Sequence, residues 1–171
     1  VSLPGRHAGR PRARRQAGFT LLEIMVVVVL IALSASLVVI NLERDTDQVA
    51  ELEARRFARL IEQARDESIL SGRPLAVDVR PEARTYTFLQ HRGGWAEVTD
   101  DDVFRMRRFP EYLGVDFETA GPPGAEELLV IEGLGLISPF QLTLEGEDIR
   151  YRVRIDDGQN VLVTSETDAT G

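Results

Sequence analysis

The chain has 171 residues, a formal charge of −8, no cysteine and no lysine, all twenty of its basic residues being arginine. That length holds one ordinary domain plus an appendage, and the missing cysteines exclude disulfide frameworks, thiol catalysis and thiolate metal sites. The charge is unevenly placed. Residues 1–18 carry Arg6, Arg10, Arg12, Arg14 and Arg15 and no acid, so that without this leader the −8 becomes −13, a balance that argues against nucleic acid as a partner of the body.

Behind the leader, Gly18 to Ile40 is apolar or small at nearly every position, and Glu23 is its one charge. As a helix, residues 19–40 reach roughly 33 Å, enough to cross a hydrocarbon core of about 30 Å. The arginines before this stretch, with Glu43, Asp45 and Asp47 after it, place the N-terminus in the cytoplasm and the bulk of the chain outside it. A secretory signal peptide with a small-x-small site at Ala32-Leu33-Ser34 or Ser34-Ala35-Ser36 explains the same composition. Glu23 bears on the choice. A carboxylate in a spanning helix costs about 2.5–3.5 kcal/mol near the centre, less near an end, and marks a function with a partner. The plain alternative is an interfacial glutamate in the first helical turn, where the helix dipole tolerates an anion.

Beyond Ile40 the helical spacing continues. Ala50, Ala54, Phe57, Ile61, Ala64 and Ser68 follow steps of four and three with Leu60 beside them, while Glu51, Glu53, Arg55, Arg59 and Glu62 fall mostly elsewhere, which predicts an amphipathic helix packed on the chain's own sheet. Gly72-Arg73-Pro74 supplies its stop. A helix from Phe19 to about Ser71 reaches on the order of 80 Å, a stalk half in lipid and half under a soluble head.

The remainder reads as short strands. Leu75-Val77-Val79 and Tyr86-Phe88 alternate around the turn residues Pro81-Glu82-Ala83 and predict a hairpin. Trp95 to Val98 and Val103 to Met106 are weaker strand expectations, Leu113-Val115-Phe117 alternates again, and Leu128 to Ile131 is a continuous apolar run. Gly121-Pro122-Pro123-Gly124 is a loop. Phe140-Leu142-Leu144, Ile149-Tyr151-Val153-Ile155 and Val161-Val163, separated by the turns Glu145-Gly146-Glu147-Asp148 and Asp156-Asp157-Gly158-Gln159, predict an antiparallel meander with Arg150, Arg152 and Arg154 on its solvent face. Residues from Glu166 on are expected to fray.

No reactive constellation stands out. Asp100-Asp101-Asp102 and Asp156-Asp157-Gly158 lack the ligand spacing of an EF-hand and read as solvated turns, so no metal site is expected. His7 lies in the leader and His91 stands alone beside Gly93-Gly94. Ser138 and Ser165 have no histidine and acid nearby in sequence, and Gly133-Leu134-Gly135 lacks the third glycine and the lysine of a phosphate loop. No cofactor and no catalysis are expected. Trp95 fits core packing and an interface equally.

The run Gly18-Phe19-Thr20-Leu21-Leu22-Glu23, after a short basic leader and before an apolar helix, resembles the prepilin processing signal of type IV pilins and type II secretion pseudopilins. Ala64-Arg65-Asp66-Glu67-Ser68-Ile69-Leu70-Ser71-Gly72-Arg73-Pro74-Leu75 and Glu132-Gly133-Leu134-Gly135-Leu136-Ile137-Ser138-Pro139-Phe140 further resemble the H-type minor pseudopilins, the GspH/FimT group. The resemblance implies an α+β, pilin-like fold, with a long N-terminal helix packed on antiparallel sheet. It implies four segments: a cleaved leader over 1–18, a transmembrane and assembly half-helix over 19–40, an amphipathic periplasmic half over 41–72, and a β-rich head over 73–171. A prepilin peptidase would cut between Gly18 and Phe19 and methylate the Phe19 amine, and Glu23 would pair with the amine of a neighbouring subunit. The implied protein is a minor pseudopilin of the inner membrane, single-pass with a periplasmic head. Its implied partners are other major and minor pseudopilins, membrane lipid and exported substrate proteins. A minor pilin of a type IV pilus or DNA-uptake filament is the neighbouring alternative, and an exported binding module or enzyme the more distant one.

Overall fold

The computed structural model describes residues 21–99 and 101–167, and of residues 33–45 the backbone alone. Its elements in chain order are the helix α1 (Leu21–Ser71) and nine strands: β1 (Leu75–Arg80), β2 (Thr85–His91), β3 (Trp95–Glu97), β4 (Arg107–Arg108), β5 (Gly114–Thr119), β6 (Leu129–Ile131), β7 (Phe140–Glu145), β8 (Ile149–Ile155) and β9 (Val161–Thr167). The chain divides into two compact units, Val1–Val39 and Ile40–Gly171.

In the second unit the helical stripe expected from the spacing is fully buried: Ala50, Ala54, Phe57, Ile61, Ala64 and Ser68 expose nothing. Ala58 and Leu60 are buried beside them, widening the stripe to the broad apolar face a surface helix turns to its core. The helix ends at Ser71 because Gly72 adopts a left-handed φ of 66°, a conformation glycine takes without steric cost. Pro74 follows two residues later and has no backbone N–H with which to continue the helix.

Two antiparallel sheets pack on this stripe. The first runs β3-β2-β1-β6, with β4 also paired to β2; the second runs β5-β7-β8-β9. The predicted hairpin is β1–β2, in register Val77↔Phe88 and Val79↔Tyr86, closed by a turn in which the Arg84 N–H donates to the Pro81 carbonyl at 3.0 Å. The predicted meander is β7-β8-β9. Phe57 touches both sheets. Its ring centroid lies 5.2 Å from Tyr86 on β2 and 6.2 Å from Phe140 on β7, in edge-to-face geometry.

Two expectations fail for identifiable reasons. Val103 to Met106 is not a strand: the Asp101 carboxylate accepts the N–H groups of Val103 at 2.6 Å and Phe104 at 3.3 Å, folding the segment into a side-chain-capped turn. Phe104 is buried there, its ring 5.1 Å from Phe88, and the strand begins only at Arg107. Nor does the chain fray at Glu166. β9 runs to Thr167, opposite Ile149, and Glu166 pairs with Arg152.

Arg150, Arg152 and Arg154 alternate with Tyr151 and Val153, which are buried. Arg150 is ion-paired to Glu145 at 2.8 Å. Trp95 is half-buried against a small second cluster of Ala76, Ala125 and Val130, on the side of the first sheet away from the helix, since Ala76 alternates with the core residues Leu75 and Val77.

One helical carboxylate holds a distant turn. Asp47 Oδ1 accepts the N–H groups of Glu147 at 2.9 Å, Ile149 at 3.2 Å and Asp148 at 3.3 Å, so the β7–β8 turn docks on α1. Gly146 is required at this contact, because a Cβ there would stand 2.1 Å from Asp47 Oδ1.

Replacing Asp47 by alanine removes three hydrogen bonds to a charged acceptor, and the expected cost is about 1–3 kcal/mol, read as a lower urea midpoint for the full chain in detergent; an unchanged midpoint would remove the docking role. The opposite result is expected at Tyr86. Its hydroxyl is buried and has no hydrogen-bond partner among the described residues, and burial holds its pKa above the usual tyrosine range. Tyr86→Phe therefore leaves stability unchanged or raises it by up to about 2 kcal/mol, measured by thermal unfolding, whereas a clear loss would reveal a partner for the hydroxyl.

Candidate assembly site

The first described residues of α1 set the chemistry of the Val1–Val39 unit. Leu21, Leu22 and the unbroken run Ile24-Met25-Val26-Val27-Val28-Val29-Leu30-Ile31 are each between 46% and 80% exposed. A helix apolar on every side has no solvent face, and an exposed apolar surface of this length marks contact with lipid or with other chains. Burying the exposed remainder of ten large side chains yields on the order of 10 kcal/mol. Glu23 lies within this run, in the first described turn of α1. Its carboxylate is the single charge between Leu21 and Ala32.

Gly18 and Phe19, the expected processing pair, lie outside the described residues. So do Phe19, Thr20 and the side chains of 33–40 within the expected span, and among the described residues no helix is long and apolar enough to cross a membrane.

The second unit exposes a local apolar patch. At the end of α1, Ile69, Leu70, Leu134 and Leu136 are exposed, Leu70 and Leu134 by more than four-fifths. The β6–β7 loop that bears the last two is fastened to the helix: the Ser68 hydroxyl lies 2.7 Å from the Glu132 carbonyl and 3.0 Å from that of Arg73. Gly135, at φ 82°, sits so close to Ile69 that a Cβ would meet its Cδ1 at 2.7 Å.

The residues weighed for chemistry are occupied structurally. His91 stacks edge-on to Trp95 at 5.1 Å. The Ser138 hydroxyl accepts the Val130 N–H at 2.7 Å. The Asp156 carboxylate accepts the N–H groups of Gly158 at 2.9 Å and Asn160 at 2.8 Å, and those bonds hold its pKa below the usual carboxylate value. Asp100 lies outside the described residues, and Asp101 caps the turn described above. An open groove of about 820 Å³ between Asp78–Ala83 and Gly124–Leu128 has no histidine or serine in its lining.

Sequence reasoning missed Asp47 as a docking residue, and it placed Gln159 in a turn without foreseeing its bonds. Gln159 takes a φ of 63°, accepts the Ile137 N–H on its side-chain oxygen at 2.6 Å and accepts Arg65 Nη1 on its backbone carbonyl at 2.7 Å. It thereby ties the β8–β9 turn to α1 and to the β6–β7 loop. Only the neighbouring Asp-Asp-Gly signalled a turn there, and nothing local pointed to the distant partners.

The profile of the family described as type II transport protein GspH matches residues 53–158, and that of the prokaryotic N-terminal methylation motif matches residues 13–39. Type II secretion system protein H of Aeromonas hydrophila is 31% identical over 82% of this chain and 87% of the relative. The protein of the same name from Pseudomonas aeruginosa is 32% identical over 77% and 84%. Among solved structures, the minor pseudopilin EpsH from the type 2 secretion system of Vibrio cholerae superposes with a TM-score of 0.59 at 25% identity, covering 68% of this chain and 96% of that one. The expected pilin-like α+β fold, a helix on antiparallel sheets, is the fold found. A run of exposed apolar helix behind a methylation motif, joined to a two-sheet unit of this kind, is the build of a pseudopilus subunit, and the chain belongs to the GspH family, the H-type minor pseudopilins of type II secretion.

Proposed function

We propose that the chain is a membrane-anchored minor pseudopilin that is processed between Gly18 and Phe19, methylated on the new Phe19 amine and built into the pseudopilus through the apolar part of α1. The observation that carries this reading is the apolar run of Leu21–Ile31, exposed on every side, with Glu23 as its single charge. Before assembly, residues 19–40 cross the inner membrane once. The arginine leader stays in the cytoplasm and residues 73–171 stand in the periplasm as the head, joined by the amphipathic segment 41–72. A prepilin peptidase removes residues 1–18 and leaves the helix in place.

In the filament, Glu23 accepts a charge-assisted hydrogen bond from the Phe19-equivalent amine of a neighbouring subunit. A misregistered subunit leaves both charges unpaired at low dielectric, so the pair enforces register. The head contacts other minor subunits and exported substrate. The chain acts by contact and not by catalysis, a reading supported by His91 packed on Trp95 and by Ser138 and Asp156 engaged in backbone hydrogen bonds.

N-terminal sequencing of the cellular protein is expected to begin at methylated Phe19; a start between residues 35 and 37 would identify a signal peptide instead. Glu23→Ala is expected to leave cleavage and membrane insertion intact while lowering incorporation into sheared pseudopili and secretion of the system's substrate. Normal incorporation of that variant would sink the role given to the carboxylate.

A further inference from the structure

β9 closes the second sheet, and its outer edge is open. The Asp156 N–H donates to the Asn160 carbonyl at 3.0 Å, and alternation from that pair along the β8–β9 register turns the N–H and C=O groups of Leu162, Thr164 and Glu166 toward β8. Those of Val161, Val163 and Ser165 point away from the sheet, and among the described residues no strand pairs with them. Natural edges are guarded by proline, by lysine, by bulges or by inward charges. β9 has none of these. It is seven residues long, its first three are Val161-Leu162-Val163, and its one charge, Glu166, is taken by Arg152.

The edge borders a groove of about 350 Å³ whose other wall is α1, lined by Arg55, Ala58, Arg59 and Glu62 opposite Val161 and Val163. Arg55 shares Glu51 in an exposed pair at 2.8 Å. Arg59 donates only to the Arg55 carbonyl, at 3.3 Å, and makes no ion pair among the described residues. Arg55 is thus matched by Glu51, and Arg59 is the cation of the groove left without an ion pair among the described residues. An occupant therefore needs an extended backbone to pair with β9, apolar side chains against Val161, Val163 and Ala58, and a carboxylate for Arg59. A second copy laid β9 on β9 would offer Glu166 as its one strand carboxylate, and Arg152 already holds that group.

We propose that the β9 edge and the arginine-lined face of α1 beside it form a strand-addition site that receives an extended, carboxylate-bearing strand from a different subunit of the pseudopilus. The inference rests on the filament reading above, and it adds the class of partner and the surface that selects it. Backbone bonds supply the affinity of such a joint, and the arginine and the alternate apolar positions supply its specificity.

The test uses the full chain in secreting cells, with a photo-crosslinking benzophenone residue in place of Glu62 and a second, separate crosslinker in place of Val27 in the apolar helix. The Glu62 position is expected to give an adduct with another pseudopilin. Ser165→Pro removes one outward-facing N–H and leaves the bonds to β8 in place, and Arg59→Glu reverses the charge of the groove; each is expected to abolish the Glu62 adduct and to leave the Val27 adducts unchanged. Arg59→Glu lies on an exposed helix face and keeps the test decisive if the proline variant does not fold. A Glu62 adduct that survives both substitutions, that forms with a second copy of this chain, or that is missing while Val27 adducts persist overturns the proposal and leaves the filament reading standing. Loss of adducts at both positions removes the filament reading as well.

Discussion

Phe57 is the contact on which the second unit depends. It projects from α1 between Ala54 and Ile61, exposes nothing, and meets Tyr86 of the first sheet and Phe140 of the second in edge-to-face geometry. Two small sheets of short strands have little independent stability. Packed on opposite flanks of one ring, they share a single core that also takes in Phe88, Phe109, Leu113, Leu142 and Val153. The alanines of the stripe are the other half of the arrangement: at positions 50, 54, 58 and 64 a larger side chain would hold the sheets away from the helix and leave Phe57 without partners. The helix also sets the position of the loops, because Asp47 holds the β7–β8 turn and Ser68 the β6–β7 loop, roughly 31 Å apart along the axis.

Periodicity made the helix, its stop, the β1–β2 hairpin and the closing meander legible, because each buries one face and so repeats its apolar residues at the period of its backbone. The failures have one cause. Val103–Met106 was a weak strand expectation from apolar content, but Asp101 offered its backbone donors a nearer acceptor, and that competition is invisible to a pattern of side-chain polarity. At Glu166 polarity suggested an end, although an ion pair to Arg152 extends the strand. The partition into two sheets was equally hidden, since β6 returns to β1 across more than fifty residues. Glu23 and Gly18 stood out by spacing from one another. Asp47 and Gln159 did not, because their partners are brought near only by the finished fold.

The chain exposes apolar surface of two kinds. From Leu21 to Ile31 it is continuous around the helix, and no arrangement of that segment alone hides it. At the end of α1 it is local, four side chains held outward by a serine hydroxyl and a glycine with no room for a Cβ. A fold that needed only stability would gain by replacing Leu70 and Leu134 with polar residues. Beside a firmly anchored loop they form a fixed apolar patch of the kind that suits contact with another chain.

These features divide the work of assembly. Helices already in lipid gain little hydrophobic energy by associating, because the tails they leave are as apolar as the side chains they meet. The apolar run can therefore hold the proposed subunit in the membrane and in the filament without determining which neighbour it takes. In the proposed filament that choice falls to groups for which a wrong partner is costly: the Glu23 carboxylate, which would penalise an unpaired charge, and the polar backbone edge of β9 with Arg59 beside it, which would be satisfied only by a strand of the right direction and charge.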